Sequence, residues 1–377
     1  MKNKIVHVHR GSLSDANIKY FAQINDDVDI SDKFYVIEFD NEKIALIGGV
    51  DKRKLEKHGN LSQVVTFDEY SNSDIRGNIE EETKVLNEFL KQYKEQKIIT
   101  GPKFPSYIFN ELAKSYNIKS LRENPISKER KIKKDYEIEN LREIQKITEN
   151  GMKHIKNILD ESSVNNEDIL KWQNNILTSE VLRKEAEKFF NKYNASMEIK
   201  YIIATGKNSA DPHERGSGPI KSNVPILVDL FPKSKEGYYG DMSRTFIKEE
   251  PSEKLENMNK AVNEAISESL NIIQEGIKIK DIHNKVCEVI ERHDFSADID
   301  KNEGFIHSTG HSIGLEIHEM PRISSHNENE LKENMILTIE PGLYYEDVGG
   351  LRIEDMIRVK ENGFENFNTM NKKLIQL

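Results

Sequence analysis

Short apolar runs alternate with amphipathic stretches over the first third of the chain. FYVIEF (34–39) and KIALIGGV (43–50) predict two strands of a hairpin that turns at Asp40-Asn41-Glu42. KVLNEFLKQY (84–93) predicts a helix, KIITG (97–101) a strand and SYIFNELAKSY (106–116) another helix. Together they describe a small α/β domain over 1–127. The charge run Lys128-Glu129-Arg130-Lys131-Ile132-Lys133-Lys134 closes it and reads as a solvated linker over 128–135. Beyond it, Ile138, Leu141, Ile144, Ile155 and Leu159 share one helical face and predict a helix from about 136 to 161, with a second over roughly 166–192. From 198 the pattern turns to strands, broken by a helix pair near 252–293, and stays strand-like to the end. Helices followed by hairpins make 136–377 an α+β domain and not a doubly wound sheet.

Composition removes several functions. Charged residues make up 32% of the 377 positions and the formal net charge is -10, which opposes the basic face of a nucleic-acid binder. No run reaches the ~20 apolar residues of a membrane span. MKNKIVHVHRGSL lacks the apolar core of a secretion signal, so the expected compartment is the cytoplasm. Neither nucleic acid nor membrane is an expected partner. The single cysteine, Cys287, excludes an intrachain disulfide and a thiolate metal cluster, and reads as a small core residue of a helix.

Acids interrupt three segments that would otherwise be buried strands. Asp229 sits in Pro225-Ile226-Leu227-Val228-Asp229-Leu230-Phe231, Glu340 in Met335-Ile336-Leu337-Thr338-Ile339-Glu340-Pro341, and Glu354 in Leu351-Arg352-Ile353-Glu354-Asp355-Met356-Ile357. A buried ionised carboxylate must be paired, neutralised or bound to a cation. Asp229 and Asp241 flank a hairpin loop, and a turn centred on Lys235 places them opposite each other; a turn centred on Asp347 does the same for Glu340 and Glu354. Directly opposed like charges repel. Two such pairs make sense with a pair of divalent ions between them.

Histidines occur close by, in Phe305-Ile306-His307-Ser308-Thr309-Gly310-His311-Ser312-Ile313-Gly314-Leu315-Glu316-Ile317-His318-Glu319-Met320-Pro321. Oxygen-rich ligation with one imidazole and no sulfur suits Mn²⁺, Co²⁺, Fe²⁺ or Zn²⁺. Gly310-His311-Ser312-Ile313-Gly314 also matches the nucleophile elbow of serine hydrolases, which would make Ser312 a nucleophile. That motif needs a following helix and a later acid and histidine, whereas here a strand-like stretch with Pro321 follows.

The segments VDLFP…GYYGDMSRTF, HSTGHSIGLEIHEMPRI, MILTIEPGLYY and LRIEDM, with ANIKYF and FYVIEF in the first domain, resemble the pita-bread metallopeptidases. That family includes Xaa-Pro dipeptidase (prolidase), aminopeptidase P, methionine aminopeptidase and the metal-free creatinase. LRIEDM is similar to the prolidase and aminopeptidase P branch. The resemblance implies a pita-bread catalytic domain over 136–377 behind a creatinase-like N-terminal domain, and commonly a homodimer. It implies two divalent ions, foremost Mn²⁺, with Asp241 and Glu354 bridging them, Asp229 completing one site and His311 with Glu340 the other. It also implies hydrolysis of the peptide bond before proline by a hydroxide that the metal pair activates, acting on small Xaa-Pro peptides. Glu340 would be the acid–base group, His318 the substrate-side histidine, and His307 and His213 further site histidines. Arg352 would orient the core of the site and Arg322 would meet a substrate carboxylate. The chain departs from the family where the first two acids stand twelve apart instead of eleven, and in the residues after His213. An aminopeptidase for longer peptides, and a non-catalytic pita-bread binding module, are the other readings.

Overall fold

The computed structural model describes residues 4–24, 28–30, 32–71, 75 and 77–377, so the first three residues of the N-terminal stretch read above lie outside it. The chain divides into two compact units, Met1–Arg130 and Lys131–Leu377.

In the first unit the strands β1 (Ile5–Gly11), β2 (Phe34–Phe39), β3 (Glu42–Ile47), β4 (Gln63–Thr66), β5 (Lys97–Thr100) and β6 (Ile118–Ser120) form one mixed sheet in the order β4-β3-β2-β1-β5-β6. The expected hairpin is present with a tighter turn: Phe39 pairs with Glu42, and Asp40 and Asn41 alone make the loop. Both have positive φ (55° and 69°), the backbone that a two-residue hairpin loop needs and that Asp and Asn tolerate. Val6, Val8, Tyr35, Ile37, Leu46, Val85, Leu86 and Phe89 close the core of this unit.

The second unit opens with the helix Asp135–Glu161, whose buried Ile138, Leu141, Ile144, Met152, Ile155 and Leu159 follow the helical period. Two expectations need correction here. The stretch 166–178 is not helical: β7 (Ser163–Val164), β8 (Leu170–Trp172) and β9 (Asn175–Ile176) form a small sheet, and the helix is only Ser179–Asn191. Gln173 and Asn174 take positive φ (50° and 63°) as a two-residue turn, and the Thr178 side chain caps the later helix. Nor is 128–135 a solvated linker. Lys128 and Glu129 end the helix Pro125–Glu129, and Lys133 is buried, with its ammonium 3.0 Å from Ser312 Oγ and 3.1 Å from Glu319 Oε2.

The strands that follow fall into two larger sheets and a hairpin. β10 (Ile202–Thr205), β11 (Ile226–Leu230), β12 (Met242–Ile247) and, at the far end of the chain, β20 (Ile375–Gln376) form one sheet. β13 (Gly310–Ser312), β14 (Glu319–Ile323), β15 (Ile336–Ile339), β18 (Asp355–Lys360) and β19 (Gly363–Asn366) form another, while β16 (Gly342–Tyr345) pairs with β17 (Gly349–Arg352) and is bridged through Tyr344 to Gly304. The helices Glu253–Asn271 and Ile279–Arg292 pack their apolar faces on Ile323, Leu337, Ile339, Leu351 and Ile357.

The long helix also anchors the end of the chain. Glu149 accepts from Lys153 Nζ (2.7 Å), Thr369 Oγ1 (2.5 Å) and the Thr369 and Met370 amides (2.6 and 3.1 Å). Burial pushes this carboxyl up, but the four donors outweigh it and hold it at about 2, against an ordinary 4.5. A depressed folded pKa stabilises above the unfolded value and is lost as pH falls through the folded one. Glu149→Gln is therefore expected to cost about 2–3 kcal/mol at neutral pH. The difference should shrink as pH drops from the ordinary carboxylate range toward about 2, as denaturant titrations over that range would show. A variant as stable as the wild type at neutral pH would contradict this account of the anchor.

Candidate metal centre

Asp229 lies on β11 and pairs with Ser243 on β12, so the register is offset by two from the one that would oppose it to Asp241. The loop between them folds on itself, with Lys233 bridged to Tyr239 and Gly240 N–H bonded to Pro232 O. An offset of two keeps the face: Asp241, two residues before Ser243, stays on the side of Asp229 as its diagonal neighbour. Glu340 and Glu354 stand where β15 runs into β16 and β17 into β18. Ile339 pairs with Asp355 and Gly342 with Arg352, so one register runs on both sides of the two glutamates and sets them across from each other.

His311 comes from β13. Its Nδ1 lies 3.2 Å from the Ser312 carbonyl, which can only accept, so Nδ1 carries the proton and Nε2 offers a lone pair. That Nε2 faces Asp241 Oδ2 at 3.7 Å and Glu340 Oε1 at 3.6 Å. Burial and the neighbouring His318 hold the His311 imidazole down at about 3, so it stays neutral. Ligand atoms of Asp241, His311 and Glu354 all lie within 4.8 Å of one another.

Among the described residues Arg352 is the cation hydrogen-bonded within this cluster, and its donors are committed. Arg352 donates to Asp229 Oδ2 (2.7 Å), Ser243 Oγ (2.9 Å) and Tyr344 Oη (2.8 Å). Ser243 Oγ in turn donates to Glu354 Oε2 (2.9 Å). His307 donates from Nδ1 to the Ser308 carbonyl, leaving Nε2 to accept from Tyr344 Oη at 2.9 Å. The opposite Asp229 oxygen, Oδ1, is buried and has no hydrogen-bond partner among the described residues. Burial and the other acids raise Asp241 and Glu354 well above the carboxylate range, and burial pushes Glu340 up to about 7. An orphaned carboxylate oxygen, a deprotonated imidazole nitrogen aimed at two carboxylates and four acids against one arginine are the chemistry of a cation site, and the residues fit divalent metal.

All ten residues singled out in the sequence line one cavity of about 410 Å³. Asp229, Asp241, His311, Glu340, Glu354 and Arg352 make its floor of charge, while His213, His318 and Arg322 are exposed in it and His307 is half-buried. The His318 ring stands edge-on to His311 with centroids 4.5 Å apart. Ile199, Ile202, Phe231, Ile299, Ile306 and Ile317 supply an apolar wall. Ser312 is fully buried on β13 beneath Lys133, and a further strand follows it, so no nucleophile elbow exists there.

Sequence reading missed the groups that hold the site. Gln145, on the long helix, clamps the Asp241 backbone from both sides: Nε2 donates to Asp241 O (2.6 Å) and Oε1 accepts from Asp241 N (2.9 Å). Gly240 lets that helix approach, since a Cβ there would lie 2.1 Å from Thr148 Oγ1. Arg244, fully buried, holds the Glu354 carbonyl (2.7 Å) and pairs with Asp355 (2.7 Å). Gln145, Thr148 and Glu149, polar residues among the apolar positions of the long helix, were the available signal for the first; Ser243, Arg244 and Tyr344 carry no signal of their own.

A family model for metallopeptidase family M24 matches residues 139–361. An uncharacterized peptidase of Methanocaldococcus jannaschii is 31% identical over 343 residues, covering 89% of this chain and 85% of that protein. A Xaa-Pro dipeptidase of Pyrococcus furiosus is 36% identical over 175 residues, 46% of this chain and 48% of that protein, so the match spans about half its length. The crystal structure of an X-Pro aminopeptidase from Thermotoga maritima superposes with a TM-score of 0.78 at 22% identity, covering 99% of this chain and 98% of that one, and shows the shared pita-bread fold. With most of its second unit matched by the family model and a relative 31% identical over 89% of its length, the chain belongs to metallopeptidase family M24.

Proposed function

We propose that the protein cleaves the peptide bond preceding proline in short peptides, with two divalent cations held by Asp229, Asp241, His311, Glu340 and Glu354. The observation that carries this is the buried cluster itself: four carboxylates and a neutral imidazole nitrogen converge, with one arginine to balance them, on the floor of a cavity with an apolar wall. On this reading Asp229, Asp241, Glu340 and Glu354 would offer carboxylate oxygens to the cations and His311 its Nε2. Manganese as the native metal, a cytoplasmic location, a homodimer and a creatinase-like role for the N-terminal unit belong to the same proposal. Proline specificity is supported by the name of the Pyrococcus furiosus relative and by the wall of isoleucines and Phe231, which suits a pyrrolidine ring.

When bound, the cations supply Lewis acidity and a nucleophile at neutral pH. The chain's own groups do the rest. Glu340 takes the proton that the attacking water loses and passes it to the departing prolyl nitrogen. Partial burial of its ring and the nearby Arg322 lower the His318 pKa, and its imidazole N–H donates to the oxyanion that develops on the scissile carbonyl. Arg352, steadied by the Tyr344 hydroxyl, holds one oxygen of Asp229 and leaves the other for ligation, and His307 fixes the Tyr344 hydroxyl. Arg322, exposed beside His318, is placed for an anionic group of the substrate.

Two measurements test this reading. Carboxyls raised in the folded state keep protons that the unfolded chain has released, so the cation-free protein loses stability as pH rises from the ordinary carboxylate range to about 7. Thermal unfolding of chelator-treated protein should therefore occur at lower temperature at about pH 8 than at about pH 5, and added Mn²⁺ should restore most of the loss. An unfolding temperature indifferent to added divalent cation would refute the metal centre. For the chemistry, the Mn²⁺-loaded protein should hydrolyse Xaa-Pro peptides but not matched Xaa-Ala peptides. His318→Ala should retain its metal and lose roughly 10²–10⁴-fold in kcat. Equal cleavage of Xaa-Ala, or a His318 variant that loses metal instead, would count against the assignment.

A further inference from the structure

Two arginines reach the cavity without joining the carboxylate network. Arg215 and Arg322 both line it, and neither guanidinium has a hydrogen-bond or ion-pair partner among the described residues. Arg352 and Arg244, by contrast, are fully engaged with carboxylates, carbonyls and hydroxyls. Arg322 arrives from β14, paired opposite His311, and Arg215 from the loop after β10, so the two come from different sheets.

Arg215 is held firmly for a loop residue. Its carbonyl accepts from Ile203 N–H (3.1 Å) and from the buried Arg183, which also donates to the Gly216 carbonyl (2.9 Å). Gly216 has φ +76°, and a Cβ there would lie 1.9 Å from Ile203 O, so the loop is pressed flat on β10. The guanidinium lies over the Phe231 ring, 5.6 Å from its centroid. Stacking of this kind positions a cation and leaves its charge unneutralised. In the proposed state, two divalent cations match the four carboxylates, and the arginine charges at the rim then face the cavity without counter-ions. A Xaa-Pro dipeptide presents a carboxylate directly on its proline; a longer peptide presents a neutral amide there.

We propose that Arg215 receives the free α-carboxylate of a C-terminal proline, with Arg322 as the second donor, and that this pair makes the protein a dipeptidase. The inference rests on the Xaa-Pro reading and names its substrate class. Its test uses the Mn²⁺-loaded protein with a Xaa-Pro dipeptide, the C-terminal amide of that dipeptide and the matching Xaa-Pro-Xaa tripeptide. Wild type should favour the dipeptide. Arg215→Met should raise the dipeptide KM about 10–100-fold with little change in kcat, and leave both neutral substrates unchanged. Arg215→Lys should fall between, because it keeps the charge and loses the fork. Combining Arg215→Met with Arg322→Met should cost less than the product of the single effects, as expected for two groups on one carboxylate. Calorimetric binding of a non-hydrolysable dipeptide and its amide should show the same ordering without turnover. An unchanged dipeptide KM in Arg215→Met, or an equal rise for all three substrates, would overturn the carboxylate role while leaving Xaa-Pro cleavage intact. Failure of the wild type to cleave any of the three would instead overturn the Xaa-Pro reading and this one with it.

Discussion

Like charges repel most where water cannot screen them, and Asp229, Asp241, Glu340 and Glu354 meet under that condition. Left alone, such a cluster would protonate or spread apart. The second unit prevents the spreading. Each acid is set by backbone pairing or by a bonded neighbour: Asp229 by β11 and Arg352, Glu354 by the Ser243 hydroxyl and the Arg244 hold on its carbonyl, Asp241 by Gln145, and Glu340 by its amide's bond to the Thr309 carbonyl. Repulsion among the acids is thereby stored as an affinity for cations, because the geometry that costs free energy in the empty cluster is the geometry that binding relieves.

The supports come from widely separated parts of the chain, and this explains why the unit needs both its sheets and its long helix. Gln145 lies nearly a hundred positions before Asp241, and Lys133 stands further still from the two residues it joins. That buried ammonium meets Ser312, next to His311, and Glu319, next to His318. One counter-charge thus fixes the loop that carries His311 and His318 together. Without the lysine the Glu319 carboxylate would lose the positive charge that offsets its burial, so the lysine and the loop support each other.

What could be read in advance divides along physical lines. An acid amid Ile, Leu and Val violates the hydropathy of its strand, so Asp229, Glu340 and Glu354 stand out one at a time. The placement of Glu340 opposite Glu354 follows from counting, since a single register continues through both hairpin sections. The same counting misplaces Asp229 against Asp241, because period-2 alternation does not distinguish registers that differ by two; the self-folded loop decides it. Lys133 was illegible for another reason: a lysine in a basic run looks the same whether water or a carboxylate surrounds it. The misassigned helix over 166–178 shows turn chemistry at Gln173 and Asn174 overruling a plausible apolar spacing. Arg215 had no pattern around it at all, and only its place in the cavity distinguishes it.

The segment 368–372 carries no reactive group, yet it is fastened to nearly everything that aims the acids. Asn368 Oδ1 accepts from Gln145 and from the Met356 amide, the Met370 and Asn371 carbonyls accept from Arg244, and Lys372 reaches Asp355. These contacts reach the cluster through Gln145, Arg244 and Asp355, none of which lines the cavity. Changes in this tail would therefore resemble catalytic lesions while leaving every pocket residue intact. Libraries that vary only the cavity lining would miss the lever, and a fusion partner joined tightly here would press on the site from behind.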